Sequence, residues 1–86
     1  MSVQVRMYIT ATCPYCHRAE RLLTARGVTS IAKLRVDLDP ALRKEMIHRT
    51  GRCTVPQIFF GDTHIGGFED LAALDREGKL LSLIES

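Results

Sequence analysis

Residues 3–27 read VQVRMYITATCPYCHRAERLLTARG, and two different hydrophobic periods follow one another within them. Val3, Val5, Met7 and Ile9 alternate with Gln4, Arg6 and Tyr8, a period of two that predicts a strand. Thr10, Ala11 and Thr12 break it. From Pro14 the period becomes helical, with Cys16, Ala19, Leu22 and Leu23 on one face and Arg18, Arg21 and Thr24 elsewhere. Pro14 suits the first helical position, where its missing N–H is not needed, and Gly27 suits the stop. Beyond it Ala32, Leu34 and Val36 alternate with Lys33, Arg35 and Asp37, a second strand. Strand, helix and strand in that order make a βαβ unit, whose two strands run parallel.

The rest of the chain completes a small α/β domain. Asp39 and Pro40 read as N-cap and first residue of a second helix, buried through Leu42, Met46 and Ile47 and closed by Gly51. Gln57 to Phe60 and Thr63 to Ile65 are short strands around Gly61-Asp62, a two-residue turn with Gly first. After Gly66-Gly67 come Leu71, Ala72 and Leu74, then Leu80, Leu81, Leu83 and Ile84, helical stretches separated by Gly78. The order β-α-β-α-β-β-α predicts one mixed four-stranded sheet with helices on both faces. The alternation of the first strand contrasts with the continuous apolar run expected of a strand covered on both sides.

Eighty-six residues are expected to form one domain, residues 1–86. A net charge of +2, with Lys and Arg spread along the chain, gives no reason to expect nucleic acid as a partner. No stretch approaches the roughly 20 apolar residues of a membrane span. Residues 1–7 lack the continuous apolar run of a signal peptide, so the expected location is cytoplasmic. Three cysteines in a reducing compartment are not a disulfide framework. Paired cysteines there point to catalysis, redox sensing or metal.

Cys13-Pro14-Tyr15-Cys16 follows a strand and enters a helix, and that placement matters more than the spacing. The first turn of a helix presents unpaired N–H groups and the positive end of the macrodipole, which together stabilise an anion. Cysteines so placed can have pKa values of about 3.5–7.5, so that much of the thiol is thiolate, the attacking species in thiol–disulfide exchange. Cys13, at or before the first helical residue, is expected to reach solvent and act as nucleophile. Cys16, on the face of Ala19 and Leu23, is expected to be more buried and to act as the resolving thiol. Two other chemistries compete. A zinc site normally needs four ligands and no second CxxC or His pair appears; Cys53 and His17 could be recruited, but Pro14 and the strand-to-helix placement favour redox chemistry. Cys13 to His17 also matches the C-x-x-C-H pattern of haem attachment, with Met7 or Met46 as second axial ligand. The strands predicted around the motif are foreign to small helical haem proteins, so neither metal nor haem is expected.

Three motifs in order, Cys13-Pro14-Tyr15-Cys16, Thr54-Val55-Pro56 and Gly66-Gly67-Phe68-Glu69-Asp70, resemble the glutaredoxin family over essentially the whole chain. The resemblance is to the short bacterial dithiol members in particular. It implies a thioredoxin-like fold with Pro56 cis, so that residues 54–56 lie against the cysteine pair. It further implies that the backbone of Val55 pairs with glutathione's cysteine, that Thr54 and Pro56 shape the same wall, and that Tyr15 flanks the groove. Gly67, Phe68, Glu69 and Asp70 then receive the γ-glutamyl end, helix N–H groups taking its carboxylate and an acidic side chain its ammonium. The implied activity is glutathione-dependent reduction of protein disulfides and glutathione mixed disulfides. Partners are then glutathione and glutathionylated or disulfide-containing proteins, ribonucleotide reductase being one family expectation, with no nucleic acid, no membrane and a monomeric state.

Three residues depart from the family pattern. Thr10 stands where a Lys is frequent three residues before the first cysteine, and Arg43 or Arg52 is the candidate replacement for its cation. Glu69-Asp70 stands where Asp-Asp is common. Cys53, beside Thr54, reads as an inert small apolar residue or as a thiol near the site open to oxidation. Two other functions fit the same fold: a redoxin recharged by thioredoxin reductase, and an iron–sulfur cluster carrier, which Pro14 disfavours.

Overall fold

A computed structural model describes residues 3–85. Its elements run β1 (Val5–Ile9), α1 (Pro14–Ala25), β2 (Ile31–Arg35), α2 (Pro40–Thr50), β3 (Gln57–Phe60), β4 (Thr63–Gly66), α3 (Phe68–Arg76) and α4 (Leu80–Glu85). The strands form one sheet in the order β2-β1-β3-β4. β1 is parallel to β2 and antiparallel to β3, and β3 is antiparallel to β4. This is the mixed sheet that the sequence predicts. Val3 lies just before β1, half-buried against the core, with its N–H donating to the Ile84 carbonyl at 3.0 Å.

Local signals set the element ends. The Asp39 carboxylate accepts the Ala41 N–H at 2.9 Å and starts α2, and Gly51, at φ 71°, ends it in the left-handed conformation. Gly61 turns β3 into β4 at φ 60°, where a residue with a Cβ would be strained. Gly78 parts α3 from α4, the separation that the sequence predicts.

The two sides of the sheet are packed differently. Val5, Met7, Ile58 and Phe60 face α1, α3 and α4, meeting Ala19, Leu23, Leu71, Leu80 and Ile84 in the main core. Tyr8, Val36 and Phe59 face α2 and meet Met46 in a smaller cluster. β1 is thus covered on both sides despite its alternation. Its second face is polar at the atoms that reach past the apolar layer. The Tyr8 hydroxyl donates to Glu45 at 2.7 Å and accepts from Arg49 at 3.4 Å, and Arg6 donates to the Gly61 carbonyl at 3.3 Å. One predicted core residue is misplaced. Met46 is buried and Leu42 packs beside it, but Ile47 is exposed, because one residue rotates the helix by about 100° and carries it past the stripe that meets the sheet.

This topology brings the C-terminal end of β1, the start of α1, the segment before β3 and the start of α3 to one end of the sheet. Among the described residues no helix is long and apolar enough to cross a membrane.

Candidate active site

Cys13 is the N-cap of α1. Its backbone is extended, and its sulfur accepts the Cys16 N–H at 3.2 Å, which satisfies one of the donors that a helix start leaves unpaired. Pro14 occupies the first helical position. The same sulfur lies 3.7 Å from the Val55 carbonyl oxygen, towards which the thiol donates. The expected contrast in exposure between the two cysteines is small, with Cys13 at 8% and Cys16 at 4%. Cys13 is less open than its position at the helix start suggests, because the segment before β3 lies against it. The two thiols differ in chemistry instead. Burial, and then the hydrogen bond with Cys13, push the Cys16 thiol well above the ordinary thiol range. A group so raised stays protonated at neutral pH.

The Val55-Pro56 peptide bond is cis, as the resemblance implies. Beside it runs a groove of about 280 Å³ lined by Tyr15, Arg52, residues 54–57 and residues 67–70. Tyr15 is half exposed at the rim, its ring 6.2 Å from that of Phe68 and under the Arg18 guanidinium at 5.3 Å. At the far end Gly67 is the N-cap of α3. The Asp70 carboxylate reaches back to accept the Gly67 N–H at 3.0 Å and the Arg52 guanidinium at 3.1 Å. Those two contacts, the backbone one first, hold the Asp70 carboxyl below its usual range, so it is anionic at neutral pH. The N–H groups of Phe68 and Glu69, in the first turn, have no partner within the helix.

Of the sequence-predicted site residues, Tyr15, Thr54, Val55, Pro56, Gly67, Phe68, Glu69 and Asp70 all line this groove, and Cys13 touches its wall. Arg43 does not. It stands exposed on α2, outside the lining residues, and of the two candidate cations only Arg52 reaches the groove. The reason is connectivity: Arg52 follows the Gly51 turn and runs directly into residues 54–56, whereas Arg43 lies on the first turns of α2. Cys53 is exposed and is not among the lining residues. His17 is exposed on α1. Among the described residues no group of three or more His, Cys, Asp or Glu side chains could hold a metal ion.

The sequence reading missed what stands behind the wall. The Gln57 amide is buried, with its nitrogen on the Thr54 carbonyl at 3.0 Å and its oxygen 2.8 Å from His64 Nε2. Burial and the nearby Arg52 push the His64 pKa down, against an opposing pull from Asp70. A polar residue opening a strand, with a His in the partner strand, was the available signal.

A helix-capping cysteine, a second thiol one turn inside, a cis-proline wall and a mixed four-stranded sheet define a thiol–disulfide oxidoreductase of the thioredoxin-like fold. A family model described as Glutaredoxin matches residues 5–65. Glutaredoxin 3 of Escherichia coli (strain K12) is 53% identical over 81 residues, covering 94% of this chain and 96% of that one. The solution structure of glutaredoxin from Brucella melitensis superposes with a TM-score of 0.85 at 46% identity, covering 98% of this chain and 90% of the other. The crystal structure of a buckwheat glutaredoxin–glutathione complex superposes with a TM-score of 0.86 at 27% identity, covering 95% and 76%. The chain belongs to the glutaredoxin family.

Proposed function

We propose that the chain is a glutathione-dependent oxidoreductase acting on glutathionylated proteins and protein disulfides, with Cys13 as nucleophile and Cys16 as resolving thiol. The observation that carries this reading is the continuity of the groove with the reactive sulfur. The Val55 carbonyl that borders Cys13 Sγ at 3.7 Å belongs to the wall that leads to the start of α3. A tripeptide thiol lying along that wall has its sulfur at Cys13 and its γ-glutamyl end at residues 67–70. The free first-turn N–H groups of Phe68 and Glu69 suit its carboxylate, and the ionised Asp70 suits its ammonium. Arg52, tethered by Asp70 at 3.1 Å, adds a cation at that same γ-glutamyl end of the groove. A glutaredoxin structure of the same fold has been solved with glutathione.

The chemistry follows from the two thiols. The Cys13 thiolate attacks the glutathione sulfur of a mixed disulfide, the protein thiolate leaves and takes up a proton, and Cys13 carries the glutathionyl group. A second glutathione thiolate attacks that glutathionyl sulfur, giving glutathione disulfide and regenerating Cys13. With a protein disulfide, Cys13 forms a mixed disulfide with one substrate sulfur. Cys16 then loses its proton, attacks Cys13 Sγ and releases the substrate thiol. Two glutathiones return the Cys13–Cys16 disulfide to the dithiol. The raised pKa of Cys16 keeps it from competing as the first nucleophile. This reaction belongs in a reducing compartment, and we place it in the cytoplasm, with the chain acting as a monomer.

The test is turnover of a glutathione mixed disulfide coupled through glutathione reductase, with thioredoxin reductase run in parallel. Rapid turnover with glutathione is expected. Activity with thioredoxin reductase alone would keep the cysteine chemistry and discard the glutathione groove.

A further inference from the structure

Gln57 is the one buried polar side chain among the described residues, 1% exposed, and it opens β3 directly after Pro56. Its Nε2 donates to the Thr54 carbonyl at 3.0 Å and to Thr54 Oγ1 at 3.3 Å, and its Oε1 lies 2.8 Å from His64 Nε2. Chemistry fixes the orientation of this amide. Turned over, its oxygen would face the Thr54 carbonyl oxygen, two acceptors with no proton between them. With Oε1 towards His64, the imidazole must carry its proton on Nε2, which sets its tautomer. The imidazole is in turn packed on the Phe59 ring at 5.0 Å, and Phe59 and His64 are register partners across β3 and β4.

Burying an amide is costly unless both of its ends are bonded, and an apolar side chain would fill the same space without that cost. What the amide adds is a fixed place for the backbone and hydroxyl of Thr54, one residue before the carbonyl that borders Cys13 Sγ. We propose that Gln57, oriented by the His64 Nε2–H, is a positioning residue that holds Thr54 so that the Val55 backbone is presented to glutathione in register. The proposal rests on the glutathione reading above. Its action is through preorganisation: a wall already fixed loses less freedom when the tripeptide pairs with it.

The experiment compares wild type with Gln57→Met, His64→Phe and His64→Gln in two measurements. One is the KM and kcat for a glutathionylated peptide. The other is the rate of Cys13 alkylation by iodoacetamide, followed on the Cys13 peptide by mass spectrometry, which does not use the groove. Gln57→Met and His64→Phe are expected to raise KM about five- to tenfold, the scale of one lost buried hydrogen bond, with kcat and alkylation little changed. His64→Gln, whose amide nitrogen can take the place of Nε2, is expected to restore most of the affinity. An unchanged KM in both Gln57→Met and His64→Phe would overturn the proposal. So would a loss of alkylation in step with KM, which marks a general disturbance of the site, or a His64→Gln variant as impaired as His64→Phe. A wild type that alkylates normally but does not turn over the peptide would sink the glutathione reading and this proposal together, before any substitution is made.

Discussion

Replacing Asp70 should loosen the start of α3 in two separable parts. Asp70→Ala removes the acceptor of the Gly67 N–H, at 3.0 Å, the partner of Arg52, at 3.1 Å, and the negative charge in the first turn. A capping hydrogen bond contributes about 1 kcal/mol, and a carboxylate near a helix N-terminus about 0.3–1 kcal/mol. The ion pair is half exposed on both sides, 48% and 46%, so solvent screening leaves it at the lower end of about 0–1 kcal/mol. These effects overlap, and their total is about 1.5–2 kcal/mol, which lowers the melting midpoint of a domain this size by about 6–16 °C. Asp70→Asn keeps an acceptor oxygen and loses only the charge, so its shift should be about half as large or less. The pH dependence has a fixed sign. The Asp70 carboxyl is held below its usual range in the folded chain, so its contribution is present above the unfolded carboxyl pKa of about 3.9 and lost as pH falls through the folded value. Thermal melts of the three proteins at neutral pH and at successively lower pH test this. The gap between wild type and Asp70→Ala should close in acid. An Asp70→Ala protein that melts with wild type at neutral pH, or a gap that persists undiminished in strong acid, would refute the role of the Asp70 carboxylate in holding the start of α3.

Three further outcomes follow from the same site. Gly66 has φ 119°, and a Cβ there would strike the Asp70 carboxylate, so Gly66→Ala should destabilise the fold, and less so when combined with Asp70→Ala, as a double-mutant cycle of melts would read. Tyr15 is half exposed and contacts Phe68 and Arg18, so Tyr15→Ala should leave the melting point nearly unchanged while raising KM for a glutathionylated peptide about two- to tenfold, the scale of one aromatic contact. The raised pKa of Cys16 stabilises the reduced protein fully below the unfolded thiol pKa of about 8.5, and that contribution drains away as pH rises towards the folded value. Urea midpoints of the reduced protein should therefore fall across this alkaline range more steeply than those of Cys16→Ala.

The framework of the fold was legible because its signals are local. The switch of period at residues 10–14, Asp39-Pro40 before α2 and Gly61-Asp62 between β3 and β4 each act within a few residues, and each sits where it was expected. What escaped depends on contacts between distant segments. The polar second face of β1 is built by Glu45 and Arg49 from α2, which no period in residues 5–9 can reveal. Ile47 is apolar at a position one step off the stripe that meets the sheet. The modest exposure of Cys13 comes from Val55, forty-two residues further on. The groove residues were found by family resemblance rather than by pattern. Arg52 and Arg43 were indistinguishable as surface cations until the Gly51 turn directed one of them to Asp70. The signal from Gln57 and His64, a polar residue opening one strand and a His in the next, was weak, since both read equally well as solvent-facing positions.

The division of labour between the two thiols is the centre of this account, and single-cysteine variants test it most directly. Cys13→Ser and Cys16→Ser should be assayed side by side on a glutathionylated peptide and on a protein disulfide, with glutathione and glutathione reductase. Cys13→Ser is expected to abolish both reactions. Cys16→Ser is expected to lose protein-disulfide reduction and keep most of its deglutathionylation. Equal losses in the two variants on the glutathionylated peptide would contradict the assignment of Cys13 as nucleophile and Cys16 as resolving thiol.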